Sequence, residues 1–336
     1  MKTLFDYLNE RKVEESLFNV VRSMVEAVKE ISAAIKFTDT GKANSKNIYG
    51  EEQLKLDVLS DKIVQDWMKK NPLVGLIASE ELDDEMKLGN GEYAVCYDPL
   101  DGSSLVDVNL AVGSIFGVYK AKTFIGVKGE NMICSMIAVY GPRTSIVLSV
   151  GQGTAEFVMN NAGEFLITHE KLTISEGKMF APGNLRACSD RKEYLELMNF
   201  WCKEQYTLRY SGGMVPDINQ ILLKGKGVFS YPGYSEAPNG KLRLLFECAP
   251  MSYLVEQAGG ASSDGKMRIL EKKVEHIDQR TPIFIGSKGE VERCVKHLGG
   301  GCFIDNPAGG NIVLLHGFVV QNNLGTRIIL KKEKRK

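Results

Sequence analysis

Short apolar strand patterns alternating with amphipathic helix patterns predict an α/β layered architecture for this chain. Two further observations agree. Hydrophobic residues make up 43% of the sequence, enough to bury a substantial core, and 336 residues without internal repeats fit about two domains.

The elements follow in order. Leu17, Val20, Val21, Met24, Val28, Ile31 and Ile35 recur at helical spacing, so Val13 to Ile35 reads as one amphipathic helix packed on the core. Phe37 to Tyr49 is polar and reads as a surface loop. The run Gly50 to Asp57 leads into a second helix ending near Lys70. Leu73 to Ala78 is a short strand that stops at Ser79-Glu80-Glu81, and Tyr93 to Tyr97 is a strand that runs into a turn. Val112 to Tyr119, Met132 to Tyr140, Ser145 to Val150 and Ala155 to Met159 read as successive strands, with a hairpin turn at Asn160-Asn161-Ala162-Gly163 before Glu164 to Thr168.

Glycine and proline punctuate Ser175 to Ala187, which sets the expected domain boundary: 1–187, then 188–298. The second half opens with a helix over Arg191 to Glu204, a strand at Thr207 to Tyr210 and a helix from about Pro216 to Leu223. A strand at Gly227 to Tyr231 and a loop to Gly240 come next. Lys241 to Ala258 reads as one helix holding Pro250 and ended by Gly259-Gly260. Pro282 to Ile285 is a last strand, followed by a short helix to His297. Residues 299–336 receive no assignment, and Lys331 to Lys336 reads as a frayed, solvated end.

Composition excludes several classes of function. Lys plus Arg equals Asp plus Glu at 42 each, which argues against nucleic-acid or acidic-membrane binding. Seven cysteines without a CxxC pair read as reduced thiols, not a disulfide framework. No apolar run reaches membrane-spanning length and no signal-peptide pattern is seen, so a cytoplasmic protein is expected; a plastid address would need a removed transit segment. No P-loop motif occurs, and no histidine stands at zinc-ligand spacing from a Cys or acid.

Chemistry concentrates in Tyr97-Asp98-Pro99-Leu100-Asp101-Gly102-Ser103-Ser104. Proline stiffens the turn, so Asp98 and Asp101 can converge on one point. Gly102, Ser103 and Ser104 then offer backbone amides at the start of a possible helical turn, where an anion is favoured. Carboxylates for a hard cation beside amides for a phosphate point to metal-assisted phosphoester chemistry; a plain Asp-Pro surface turn is equally open on these residues alone. Glu247 lies in the apolar run Leu244 to Ala249, where a buried carboxylate needs a cation. That cation is either Arg243, one turn back, or a metal. Glu80 and Glu81 end a strand, as Asp98 does, and ligands collect at such ends. Asp57 and Glu51 stand at a loop-to-helix junction, either taking a proton from a water or serving the helix dipole. Arg186, Arg209, Lys241 and Arg243, with Tyr210 and Tyr231, suit phosphate oxygens or are ordinary surface residues.

Ser-Glu-Glu, Asp-Pro-Leu-Asp-Gly-Ser-Ser and Leu-Arg-Leu-Leu-Phe-Glu, in this order along the chain, resemble the sugar-bisphosphate phosphatases, the fructose-1,6-bisphosphatase and sedoheptulose-1,7-bisphosphatase group; inositol monophosphatases share the Asp-Pro-x-Asp-Gly core. The resemblance runs from about Val13 to His297. Pro182 to Ala187, Tyr140 to Thr144 and Leu208 to Asp217 look like the sedoheptulose branch, where Asn184-Leu185-Arg186-Ala187 replaces the Asn-Glu-Gly-Tyr of fructose bisphosphatases. The resemblance implies a five-layered αβαβα sandwich, a homodimer or homotetramer, and hydrolysis of the 1-phosphate of sedoheptulose 1,7-bisphosphate. Alternatives are a fructose-1,6-bisphosphatase or dual-substrate enzyme, then an inositol-phosphate phosphatase or an inactive phosphosugar-binding regulator.

It further implies two or three Mg²⁺ ions, with Mn²⁺ as a substitute, held by Glu51, Glu80, Asp98, Asp101, Glu247 and the Leu100 carbonyl. Glu51 stands where the family usually has Asp. Asp57 and Glu81 would activate the water, and Gly102, Ser103 and Ser104 would hold the scissile phosphate. Asn184, Arg186, Arg209, Tyr210, Tyr231 and Lys241 would grip the distal phosphate, with Met214 and Arg243 lining the sugar side. The mammalian enzymes' AMP-binding Gly-Thr-Gly-Glu-Met-Thr stretch is Glu14-Glu15-Ser16-Leu17-Phe18 here, and their Lys-Tyr pair is Glu92-Tyr93, so no AMP inhibition is expected. The plant enzymes' regulatory cysteine pair has no counterpart.

Overall fold

Thr3 caps the first helix, α1 (Leu4–Glu10), which the sequence reading omitted. Asp6 N–H donates to Thr3 Oγ1 at 3.1 Å and Thr3 N–H donates to Asp6 Oδ2 at 2.9 Å, a reciprocal pair that satisfies two otherwise orphaned amides. In the computed structural model, residues 2–37, 42–46, 52–298, 303–304, 312–315 and 318–319 are described, with side chains over 2–37 and 55–298. Helix α2 (Glu15–Phe37) follows, then an antiparallel pair of short strands, β1 (Lys42–Lys46) and β2 (Glu52–Leu54), and α3 (Lys55–Lys69). Strand β1 therefore lies inside the segment expected to be a loop.

An eight-stranded sheet comes next, ordered β10-β9-β8-β7-β6-β5-β3-β4. Its strands are β3 (Val74–Ser79), β4 (Met86–Lys87), β5 (Tyr93–Asp101), β6 (Val112–Lys120), β7 (Cys134–Tyr140), β8 (Thr144–Ser149), β9 (Thr154–Met159) and β10 (Phe165–Leu172). All neighbours are antiparallel except β3 and β5. Strand β5 runs on through the acidic motif, where a turn was expected. Asp98 pairs with Ile115 and Asp101 with Gly113, so one extra residue bulges from β5 between them. Pro99 has no N–H to give the ladder, and Ser114 Oγ donates to the Pro99 carbonyl at 2.7 Å, which fixes the bulge.

The second sheet has the order β12-β11-β13-β15-β14. Its strands are β11 (Met179–Pro182), β12 (Thr207–Leu208), β13 (Val228–Tyr231), β14 (Ala261–Ser263) and β15 (Ile283–Gly286). The chain thus crosses between sheets after Leu172 and before Met179, upstream of the expected boundary at 187. Four helices accompany this half: α4 (Lys192–Lys203), α5 (Met214–Lys224), α6 (Ala249–Gln257) and α7 (Lys288–His297). The single helix expected over Lys241 to Ala258 is instead a π-helical turn, Leu244–Cys248, that hands over to α6. Pro250 sits in the first turn of α6, where its missing N–H costs nothing.

Strand alternation builds the layers. Val95, Tyr97, Phe116 and Val118 face α1, α2 and α3, while Ala94, Cys96, Ile115 and Ile137 face α5 and α6 in the middle core. That middle core continues onto Ala181, Phe229, Ile283 and Ile285 of the second sheet. The opposite face of the second sheet, Phe180, Val228 and Phe284, packs on Tyr194, Leu197 and Trp201 of α4 and Cys294 of α7. The order of layers is helix, sheet, helix, sheet, helix, as the resemblance implied. Beyond residue 299, backbone ladders join β16 (Phe303–Ile304), β17 (Ile312–Leu315) and β18 (Phe318–Val319); the expected frayed end at 331–336 lies outside the described residues.

Candidate active site

The bulge of β5 and the π turn before α6 meet in the middle of the molecule. There, Asp98, Asp101 and Glu247 each place one carboxylate oxygen within 4.8 Å of the others, and all three side chains are buried. Each acid keeps one backbone donor. Leu100 N–H donates to Asp98 Oδ1 at 2.9 Å, Val215 N–H to Asp101 Oδ2 at 2.7 Å, and Arg243 N–H to Glu247 Oε2 at 2.6 Å. These bonds do not offset the crowding. Burial, then the charge of Glu80, holds the Asp98 and Glu247 carboxyls well above the usual range, and burial pushes Asp101 up to about 7. An all-oxygen set at these separations fits a hard divalent cation, whose ligands stand about 2.0–2.6 Å from the ion.

Glu80 follows Ser79, which pairs with Tyr97 across the parallel β3 and β5 strands, so its side chain reaches the same cluster. Arg243 differs from expectation. Its backbone is extended, its main-chain N–H serves Glu247, and its buried guanidinium places Nη1 2.5 Å from Glu80 Oε1. Leu100 is buried within the bulge, and Glu51 lies outside the described residues.

Beside the acids, Gly102 turns the chain with φ 75° into a 3₁₀ turn over Ser103–Val108. A Cβ there would meet the Gly213 Cα at 3.3 Å, so two glycines let the strand end approach the Ser211-Gly212-Gly213 loop. Asp217 holds that loop by accepting the Ser211 N–H, at 2.9 Å and 3.1 Å to its two oxygens, and its burial lifts it to about 6. Asp57 is buried on the first turn of α3, and Glu81 N–H donates to Ser79 Oγ at 3.2 Å. Sequence reading missed Asp217 and also Asp61, a buried acid one turn beyond Asp57; a carboxylate four residues after Asp57 on one helix face was the available signal.

A second group faces the cluster from the C-terminal sheet. Asn184 adopts φ 51°, is nearly fully buried, donates from Nδ2 to the Pro232 carbonyl at 2.7 Å and leaves Oδ1 without a hydrogen bond. Tyr231 lies near both Arg186 and Tyr210; its hydroxyl is raised by burial and lowered by the Arg186 charge. Arg209 is exposed and bonds the Leu208 carbonyl, and the Lys241 carbonyl accepts from Arg280 Nη1 at 3.0 Å. Met214, expected on the sugar side, is buried in the core between the sheets, where its apolar chain packs. Ala187 is also fully buried, so only Arg186 of that pair can meet a ligand.

Fructose-1-6-bisphosphatase N-terminal and C-terminal domain profiles match residues 4–170 and 173–299. The chain belongs to the fructose-1,6-bisphosphatase family. Members of this family are phosphatases of sugar bisphosphates, and this chain is a phosphoric monoester hydrolase of that kind. It is 46% identical over 302 residues to the fructose-1,6-bisphosphatase class 1 of Trichlorobacter lovleyi, covering 88% of this chain and 95% of the relative. It is 40% identical over 310 residues to the chloroplastic sedoheptulose-1,7-bisphosphatase of Spinacia oleracea, covering 91% and 80%. Two crystal structures share the fold. A putative sedoheptulose-1,7-bisphosphatase from Toxoplasma gondii aligns with TM-score 0.83 and 34% identity, and Leishmania major fructose-1,6-bisphosphatase in its holo form with 0.82 and 33%; each covers 88% of this chain and 98% of the other. No helix among the described residues is long and apolar enough to cross a membrane.

Proposed function

We propose that the chain hydrolyses the 1-phosphate of fructose 1,6-bisphosphate with Mg²⁺, acting as a homodimer or homotetramer. The observation that carries the metal-dependent hydrolysis is the buried convergence of Asp98, Asp101 and Glu247 beside the Gly102 turn. For the sugar, identities of 44–46% to bacterial fructose-1,6-bisphosphatases against 40% to the spinach sedoheptulose enzyme favour fructose over the sedoheptulose preference expected from sequence. Sedoheptulose 1,7-bisphosphate stays as the second reading, because Arg186 adjoins Tyr231 where a distal phosphate would sit.

In this reading Asp98, Asp101, Glu247 and Glu80 hold the cation, with the Leu100 carbonyl and Glu51 as further candidates. When bound, the ion neutralises phosphate oxygens and lowers the pKa of a water. Backbone amides of Gly102, Ser103 and Ser104 bind and orient the scissile phosphate. Asp57 and Glu81 accept the proton of the attacking water. Asn184, Arg186, Tyr210, Tyr231 and Lys241 hold the distal phosphate, a grip that an inositol monophosphate would not need, and Arg209 adds to it from the surface. Four acids gathered at one point are of little use to an inactive sugar-binding regulator, since their mutual repulsion costs stability.

Phosphate release is to be measured with Mg²⁺ on fructose 1,6-bisphosphate, sedoheptulose 1,7-bisphosphate and myo-inositol monophosphate. The highest kcat/KM is expected on fructose 1,6-bisphosphate, and chelation should stop the reaction. A higher value on the seven-carbon sugar selects the second reading, and hydrolysis that survives chelation rejects the metal assignment.

A further inference from the structure

We propose that Asp61 is a positioning residue for the water-activating acids, acting from beneath the site through the Ser79–Tyr97 rung. This rests on the reading that Asp57 and Glu81 handle the water. Asp61 lies on α3 one turn after Asp57, and both are buried. Its Oδ1 accepts from Ser79 Oγ at 2.7 Å and from the Tyr97 hydroxyl at 3.0 Å, and its Oδ2 accepts from Gln65 Nε2 at 2.6 Å. Three donors converge on this carboxylate, and it stands outside the Asp98, Asp101 and Glu247 cluster, so it acts as a structural acceptor.

The partners of Asp61 stand immediately before the reactive residues. Ser79 precedes Glu80 and Glu81, and Tyr97 precedes Asp98. The Ser79 hydroxyl passes the contact on, because its oxygen accepts the Glu81 N–H at 3.2 Å. Glu80 N–H donates to the Tyr97 carbonyl at 3.2 Å, which closes the link between the two strand ends. One buried acceptor therefore registers three acid-bearing elements: α3 with Asp57, the end of β3 with Glu80 and Glu81, and β5 with Asp98. A buried network of this kind is rigid when every member is satisfied and fails as a unit when its centre is removed.

The decisive comparison is Asp61→Asn against Asp61→Leu, run on whichever of the three phosphate esters the wild-type enzyme hydrolyses fastest. Asn keeps an acceptor oxygen for Ser79 and Tyr97; Leu has the same shape without one. Asp61→Leu should lower kcat by about 100-fold with KM within about threefold, as misplacing catalytic groups by an ångström does. Asp61→Asn should restore most of that kcat. If Asp61→Leu fails to fold, Ser79→Ala decides, since it removes only the hydroxyl between Asp61 and Glu81 and should lower kcat at unchanged KM. An unchanged kcat per folded molecule in Asp61→Leu, or in Ser79→Ala where Leu fails, overturns the assignment. Wild-type protein that hydrolyses none of the three esters overturns the functional reading itself, and this inference with it.

Discussion

Arg243 and Glu80 form an ion pair at the edge of the carboxylate cluster, with Nη1 2.5 Å from Oε1 and both side chains largely buried. The same guanidinium also lowers the cost of charging Glu247. Removing one member of a buried pair typically costs about 3–5 kcal/mol, because the other charge is left without its partner. Arg243→Met should therefore destabilise the metal-free protein by about that amount in urea unfolding, and saturating Mg²⁺ should recover part of the loss. A variant as stable as the parent under chelation would show that the pair adds nothing to the fold.

The crowded acids also set a pH dependence with a definite sign. In the unfolded chain these carboxyls lose their protons near about pH 4. In the fold, Asp101 holds its proton to about 7, and Asp98 and Glu247 are held well above the usual range by burial. Between those limits the folded state binds more protons than the unfolded state, so metal-free stability falls as pH rises. Stabilisation by Mg²⁺ should grow over the same window, because the cation binds the charged forms. Asp98→Asn keeps the acceptor for Leu100 N–H but removes one charge. It should flatten the metal-free decline, weaken the Mg²⁺ effect and abolish turnover. Melting temperatures across this range, with and without Mg²⁺, check it; a metal-free protein that becomes more stable toward neutral pH would contradict the burial argument.

Much of this arrangement is legible from sequence because strand parity and acid placement are local. Residues Ala94 to Tyr97 alternate between two cores as their spacing implies. The bulge is less legible. Pro99 announces an interruption, but only the pairing of Ser114 with the Pro99 carbonyl makes it a bulge and not a turn. Thr3 and Asp6 spell a capping box that sequence reading passed over, and Pro250 marks the start of α6, not the middle of a longer helix. Arg243 is legible only in part: it opens the π turn with an extended backbone instead of standing inside a helix, so its guanidinium pairs with Glu80 while still easing the charge on Glu247. The i+4 spacing from Asp57 marks Asp61 as a candidate, but its partners stand 18 and 36 residues away, so its role is not readable locally.

Lys120 occupies the region where the mammalian relatives were expected to bind AMP. Its ammonium lies 3.1 Å from Glu14 and 3.3 Å from Glu92, and 5.1 Å from the centre of the Tyr93 ring. The Tyr93 hydroxyl meets Ser16 Oγ at 2.6 Å. A nucleotide phosphate would have to break these contacts and face two carboxylates, so the site repels an anion instead of receiving it. Micromolar AMP should leave phosphate release unchanged at subsaturating substrate. Inhibition at that level would mean that AMP acts elsewhere on the molecule or rearranges this cluster.

Arg186 decides the grip on the far end of the substrate. Ala187 is buried and Asn184 is a buried neutral amide that spends one N–H on the Pro232 carbonyl, whereas Arg186 is an exposed cation beside Tyr231. A charge-assisted bond to a phosphate contributes about 1.5–3 kcal/mol, so Arg186→Ala should raise KM by about tenfold or more. That contact exists equally in the bound substrate and at the transition state, because the reaction occurs at the other phosphate. The change should therefore fall on KM with kcat nearly constant. Measuring it on both sugars separates the two substrate readings: a larger KM penalty on sedoheptulose 1,7-bisphosphate places Arg186 at the reach of the longer chain, and an equal penalty makes it a general phosphate clamp. An unchanged KM on both would remove Arg186 from the site.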